Sequence, residues 1–144
     1  MIELRDWGRK AHTSLGLWLP VVIWLGLIFT LSSVSIPGSA GRIFPYQDKL
    51  IHFLEFGVLG ILLARAVYLS DSGSRSRYWV CIAAAALYGG FDELHQLFVS
   101  GRYVEWSDFT ADCIGAVICT WAWLAEKGEN LILASKTRTF NRET

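Results

Sequence analysis

Residues 15–31 read LGLWLPVVIWLGLIFTL and carry no charged side chain. A run of this length and purity is typical of a helix that spans a lipid bilayer. Arg5, Arg9 and Lys10 precede it, and a basic start also describes a signal peptide, but this apolar run is too long for the core of one. The segment is therefore predicted to be an uncleaved membrane-spanning helix.

Three further apolar blocks follow, and each carries ionisable residues near one end. The connections at 32–46 and 70–76 are rich in Pro, Gly and Ser, as turns are. The connection at 100–105 is very short, so the helices on either side of it are expected to be antiparallel neighbours. We predict an all-α membrane protein, a bundle of four transmembrane helices with spans near 15–33, 48–69, 78–99 and 106–125.

The composition favours a lipid environment. Of the 144 residues, 53% are hydrophobic and only 18% are charged, against about 25% in an ordinary soluble domain. The 13 basic and 13 acidic residues cancel, so no overall charge points to a nucleic-acid partner. Cys81, Cys113 and Cys119 are odd in number and lack C-x-x-C spacing, which indicates neither a disulfide framework nor a zinc knuckle.

The positions of Lys and Arg predict the orientation. Of the 13 basic residues, all but Arg42, Lys49 and Arg102 fall in the N-terminal segment, the second connection with its flank, or the C-terminal segment. By the positive-inside rule both termini are cytoplasmic. We expect one domain over residues 1–144, multi-pass in the bacterial cytoplasmic (inner) membrane, with residues 126–144 as a cytoplasmic tail.

Polar residues gather in one layer at the outward-facing ends of helices two, three and four. Ionisable groups in a bilayer are costly, so this grouping needs a reason. Their spacings of three, four and seven residues place each set on one helix face. The members are Asp48, His52, Glu55, Asp92, Glu93, His95, Gln96, Asp108 and Asp112. We predict a polar pocket that opens outward beneath the loop carrying Arg102.

Several interpretations of this layer stay open. Its carboxylates and histidines could hold a divalent cation, although no fixed-spacing metal motif is present and a metal site stays unknown. The carboxylates could instead share protons, or pair with Lys49 and Arg102. An interhelical network that only fixes packing is the structural alternative. Ion or proton transport is disfavoured because the inner halves of the helices offer no continuing polar path.

The order of the motifs resembles the VanZ-like membrane proteins. Their approximate pattern is D-K-x-x-H-F, then E-x-x-Q, then G-R followed by D, N and G. It matches residues 48–53, Glu93 with Gln96, and residues 101–115, with Asp112 where the family usually has Asn. The resemblance covers about residues 46–118. It implies a small multi-span bacterial membrane protein, in a family whose namesake is associated with low-level resistance to teicoplanin.

We therefore expect a VanZ-like protein whose outward-facing pocket binds, and in one interpretation modifies, a membrane lipid or lipid-linked cell-envelope precursor. Whether it is an enzyme is open; headgroup hydrolysis or transfer at the outer face would be the reaction. Glu93 or Asp108 would act as base and His52 as proton carrier or ligand. The candidate substrate-binding residues are Asp48, Lys49, Gln96, Arg102 and Asp112, with Lys49 and Arg102 for a phosphate or carboxylate. The alternative is a noncatalytic binding or packing module, in which a homo-oligomer is also open.

Overall fold

A computed structural model describes the backbone of residues 3–34, 44–70 and 75–143, and the side chains of residues 15–34, 44–70 and 78–126. Within these ranges the chain forms four α-helices, which confirms the predicted all-helical class. They are α1 (Glu3–Ser32), α2 (Gln47–Ser70), α3 (Arg75–Gln96) and α4 (Trp106–Glu143). Arg42, which entered the orientation prediction, lies outside the described residues, as do the side chains of both basic terminal segments.

The helix bounds differ from the predicted spans most at the start of α1, which begins at Glu3, and at the ends of α3 and α4. Helix α3 ends at Gln96, and residues 97–101 form turns in which the amide of Phe98 donates to the carbonyl of His95 at 2.9 Å. Helix α4 continues to Glu143 without a break at residue 126, because the segment contains no proline and a single glycine does not stop a helix. The segment predicted as a tail therefore has a helical backbone.

Two of the described helices are long and apolar enough to cross a membrane. Residues Leu15–Ser32 of α1 and Gln47–Ser70 of α2 meet this criterion by length and composition. Their 18 and 24 residues correspond to roughly 27 and 36 Å of helix at 1.5 Å per residue, which brackets the hydrocarbon thickness of about 30 Å. Membrane association is thus supported by α1 and α2.

Helices α2 and α4 run in the same direction and have the most extensive contacts in the described bundle. Lys49 pairs with Asp108 and His52 pairs with Asp112, so both helices start at the same end of the molecule. Further along, Gly115 faces the backbone of α2: a Cβ atom there would collide with the Phe53 carbonyl. Only glycine allows the two helix backbones to come this close.

Helices α1 and α3 run opposite to that pair. The Tyr88 hydroxyl donates to the Leu25 carbonyl at 2.8 Å, and the Ser33 hydroxyl lies 2.9 Å from His95 Nε2. From the first contact to the second the residue numbers increase on both helices, so α1 and α3 are parallel to each other. Consecutive helices therefore alternate in direction, which brings the ends of α1 and α3 to the starts of α2 and α4.

The described side chains combine an apolar outer surface with a core that contains both apolar and polar residues. Fully or nearly fully buried polar residues include Asp92, Gln96, Asp112 and Thr120, while Leu87 is 77% exposed. Large exposed apolar side chains occur on the outer faces of all four helices. Extended apolar surface of this kind suits contact with lipid.

Candidate functional site

A cavity of about 480 Å³ lies where the end of α1, the start of α2, the end of α3 and the start of α4 meet. The residues that line it come from all four helices and from the loop before α4. They are Leu31, Ser32, Val34, Gln47, Asp48, Ile51, His52, Glu55, Asp92, Gln96, Gly101, Arg102, Tyr103, Glu105 and Asp108. Of the predicted site residues, Lys49, Glu93 and Asp112 are outside this lining but contact residues that form it.

Helical spacing explains most of the polar wall. Asp48, His52 and Glu55 are four and then three residues apart, so they point from one face of α2 toward the cavity. On α3, Asp92 and Gln96 are one turn apart, and Gln96 Nε2 donates to Asp92 Oδ2 at 3.2 Å. Both are buried. Helical spacing thus predicts the ionisable lining residues of α2 and the pair on α3, while Gln47 and Ile51 also line the cavity.

Lys49 is surrounded by three carboxylates of the protein itself. Its Nζ lies 2.9 Å from Asp48 Oδ2, 2.7 Å from Glu105 Oε2 and 2.5 Å from Asp108 Oδ1. The hydrogen bond from Lys49 lowers the pKa of Glu105 from its usual value. An ammonium group has three N–H donors, and this arrangement employs all three. A ligand phosphate or carboxylate would have to displace one of these acids to bind Lys49.

His52 is paired with a fully buried acid. Its Nδ1 lies 3.0 Å from Asp112 Oδ1, and its Nε2 lies 3.9 Å from Asp108 Oδ2, which is beyond hydrogen-bonding distance. Asp112 therefore orients the imidazole ring, as a carboxylate does for many catalytic or metal-binding histidines. Chemically, the pair can present a ring nitrogen of His52 toward the cavity as a proton carrier or a ligand.

Glu93 lies behind the cavity wall. Its Oε2 accepts a hydrogen bond from the backbone amide of Glu105 at 3.0 Å, which ties the end of α3 to the loop before α4. Its Oε1 is buried and has no hydrogen-bond partner among the described residues. A role for Glu93 as a base on a cavity ligand would require the side chain to turn toward the cavity.

Arg102 fastens the outer loop to the end of α1. One of its terminal nitrogens, Nη2, donates to the carbonyls of Leu31 at 3.3 Å and Val34 at 2.9 Å; the Leu31 carbonyl also accepts a hydrogen bond from the Val34 amide at 3.1 Å. Gly101 precedes it with φ of 84°, a left-handed conformation that glycine adopts freely. The Nε of Arg102 is buried and has no hydrogen-bond partner in the described structure.

Sequence reasoning missed the contribution of α1. Leu31, Ser32 and Val34 line the cavity, but an uninterrupted apolar run gives no periodic signal that would identify its inward face. It also placed His95 in the polar layer, whereas this ring stacks on Phe29 with centroids 4.2 Å apart, outside the cavity lining. Both facts depend on how α1 packs against α3.

Two groups of side chains among the described residues have the donor atoms to hold a metal ion. In each, the ligand atoms lie within 4.8 Å of one another. One group is His52, Glu93 and Asp112; the other consists of the three acids around Lys49, whose ammonium supplies the positive charge there.

Comparison with known proteins finds one family. A family model described as VanZ/LLP1 matches residues 17–127, which include every residue of the cavity and of both groups. No curated protein and no solved structure matches the chain significantly.

Proposed function

The chain belongs to the VanZ/LLP1 family, and from this membership we propose that it is a four-span membrane protein whose polar cavity binds a membrane lipid or lipid-linked cell-envelope component. The observation that carries the proposal is the cavity itself, which is lined by both ionisable and apolar side chains. It would open at the outer face of the bacterial cytoplasmic membrane.

The size and lining of the cavity fit the head of an amphipathic molecule. Its volume of about 480 Å³ lies in the usual range for small-ligand sites, roughly 300–1,000 Å³. Leu31, Val34 and Ile51 supply an apolar wall beside the polar one. A headgroup could occupy the polar part while the first carbons of an acyl or prenyl chain contact the apolar part.

The charge of the lining favours a headgroup that carries an amine. Lys49 neutralises the acids at the start of α4, but the carboxylate of Glu55 makes no hydrogen bond or ion pair with the described residues. Asp92 accepts only the bond from Gln96 among these residues. Arg102 lines the cavity, and its guanidinium group could hold a phosphate. We propose a zwitterionic headgroup, with its amine near Glu55 and its phosphate near Arg102.

Lipid binding can be tested by filling the cavity. Ile51 lines it, whereas Leu54 lies one turn away on α2, is 54% exposed and is not part of the lining. Native mass spectrometry of the gently solubilised protein should show a retained lipid in the wild type and in Leu54→Trp, and loss of that lipid in Ile51→Trp. Equal retention by the two tryptophan variants would contradict binding in the cavity.

The headgroup preference can be tested separately. The solubilised protein is incubated with equal amounts of phosphatidylethanolamine and phosphatidylglycerol, and the two adducts are compared by native mass spectrometry. The wild type should favour phosphatidylethanolamine. Glu55→Gln keeps the shape of the side chain but removes its charge, so it should lose most of this preference. An unchanged preference would remove Glu55 from headgroup recognition.

The orientation has its own test. Tyr103 is 80% exposed and lies in the loop between α3 and α4, which the proposal places outside the cell. In a variant whose three native cysteines are replaced, Tyr103→Cys should react with a membrane-impermeant maleimide in intact cells. Labelling only after the cells are opened would place this loop inside the cell and contradict the proposed orientation.

A noncatalytic packing module is the second candidate. The Lys49 cluster favours it, because these charges satisfy one another without a ligand. Under this interpretation the wild type retains no lipid, and removal of His52 only lowers stability. If lipid is bound and chemistry follows, His52, Glu93 and Asp108 are the candidates for headgroup hydrolysis or transfer. Antibiotic resistance is not part of the proposal, because members of one family often have different physiological roles.

A further inference from the structure

A buried polar group lies at the wall of the cavity, with one member on each of three helices. His52 on α2, Glu93 on α3 and Asp112 on α4 have exposures of 5%, 5% and 0%. Each offers a ligand atom, and these atoms lie within 4.8 Å of one another. Helices far apart in the sequence therefore converge on a single point.

Two carboxylate oxygens in this group have nothing to bind. Glu93 Oε1 and Asp112 Oδ2 are buried and make no hydrogen bond with any described residue. An unsatisfied buried acceptor is costly, and more so when it is charged. Gly89 preserves the space beside Asp112 Oδ2, since a Cβ atom there would lie 3.0 Å from that oxygen.

Among the described residues this group has no lysine or arginine partner, whereas the neighbouring acids have one. The acids around Lys49 share its ammonium at 2.5 to 2.9 Å. In the described structure neither Glu93 nor Asp112 forms a salt bridge with a lysine or arginine; the one basic partner is His52, at 3.0 Å from Asp112. Two buried carboxylates thus face one imidazole.

We propose that His52, Glu93 and Asp112 bind a divalent transition-metal ion, with Zn²⁺ as the best match. One imidazole nitrogen and two carboxylates are ligand types that Zn²⁺ accepts in proteins, and three of them leave a fourth position for water. Mg²⁺ and Ca²⁺ prefer oxygen ligands throughout. Bonds of about 2.1 Å place tetrahedral ligands about 3.4 Å apart, so small rotations of the carboxylates would close the present spacing.

His52 belongs both to this group and to the cavity lining, so the open position of the ion would face the cavity. There the metal would supply a Lewis acid or an activated water. The inference does not depend on lipid binding, because it rests on the donor atoms alone.

The test is metal binding by the full-length protein in detergent. Purified chain is freed of metal with a chelator, equilibrated with Zn²⁺ and analysed by elemental mass spectrometry and by calorimetric titration. The wild type should bind one ion per chain. Glu93→Gln and Asp112→Asn keep side-chain shape and should weaken binding by at least about 100-fold, the upper end of the loss seen even when outer-shell partners of metal sites are removed.

Glu105→Gln is the matched control, because it removes a carboxylate from the Lys49 cluster and not from the proposed site. It should bind Zn²⁺ as the wild type does. Circular dichroism shows whether each variant folds. If either Glu93→Gln or Asp112→Asn fails to fold, Zn²⁺ binding by the other of these two variants decides the test. A wild type without stoichiometric Zn²⁺, or an ion lost from Glu105→Gln but kept by Glu93→Gln, would overturn the proposal.

Discussion

Replacing Gly115 by alanine tests the packing on which the whole site depends. A Cβ atom at this position would collide with the carbonyl and Cα of Phe53, which are backbone atoms and cannot rotate away. Helices α2 and α4 would have to separate. Because Phe53 follows His52, and Gly115 lies one turn beyond Asp112, that separation would also stretch the 3.0 Å hydrogen bond between His52 and Asp112.

The expected loss of stability combines two effects. Overpacking of a tight contact costs typically about 1–3 kcal/mol, and an immovable carbonyl points to the upper end of that range. Alanine in place of glycine within a helix recovers up to about 1 kcal/mol. The net loss for Gly115→Ala is therefore about 2 kcal/mol. Gly26 on α1 is the control, because a Cβ atom there would have no neighbour within 4 Å and only the gain applies.

The assay is equilibrium unfolding in mixed micelles with increasing sodium dodecyl sulfate, followed by circular dichroism. Gly115→Ala should have a lower free energy of unfolding than the wild type, and Gly26→Ala an equal or higher one. A difference between the two variants smaller than about 0.5 kcal/mol, the usual scatter of neutral surface substitutions, would refute the close approach of α2 and α4 at Gly115.

Three further predictions concern individual contacts. Lys49→Met should lower the free energy of unfolding by about 3 kcal/mol, because the nearly buried Asp108 loses its partner. In a double-mutant cycle, adding Asp108→Asn should recover a large part of this loss. The hydrogen bond from Lys49 lowers the pKa of Glu105 from 4.5. The contribution of Glu105 to stability is therefore complete above about pH 4.5 and is lost as pH falls through the lowered pKa. Glu105→Gln should lack this part of the acid dependence, which is small because the side chain is 45% exposed. Tyr88→Phe removes the bond to the Leu25 carbonyl and should lower the free energy of unfolding by about 1 kcal/mol in the same micelle titration.

Much of the site follows from local spacing. Asp48, His52 and Glu55 share a face of α2 because a helix turns once every 3.6 residues, whatever surrounds it. The short connection at 100–105 in turn brings the end of α3 to the start of α4. Local geometry of this kind can be predicted from a single sequence, and the cavity contains all three of these α2 residues.

Other features could not be predicted in this way. The polar layer contains many acids, and nothing in their spacing indicates that Lys49 would pair with Asp48, Asp108 and the nearby Glu105. Nor does it indicate that Glu93 and Asp112 would each keep an oxygen without a partner among the described residues. Likewise, nothing in the apolar run of α1 indicates that Leu31 would line the cavity. Each of these depends on the rotation of one helix relative to another.

The sequence by itself determined the helices, their lipid-compatible surfaces and the level at which the polar residues gather, because these follow from hydrophobicity and from distance along a helix axis. Only the tertiary structure decided which acids pair with Lys49, which remain available to a ligand or a metal ion, and how α1 closes the cavity. The physical reason is the rotation of each helix relative to its neighbours, which determines which side chains meet; between α2 and α4 this rotation is constrained by their close approach at Gly115.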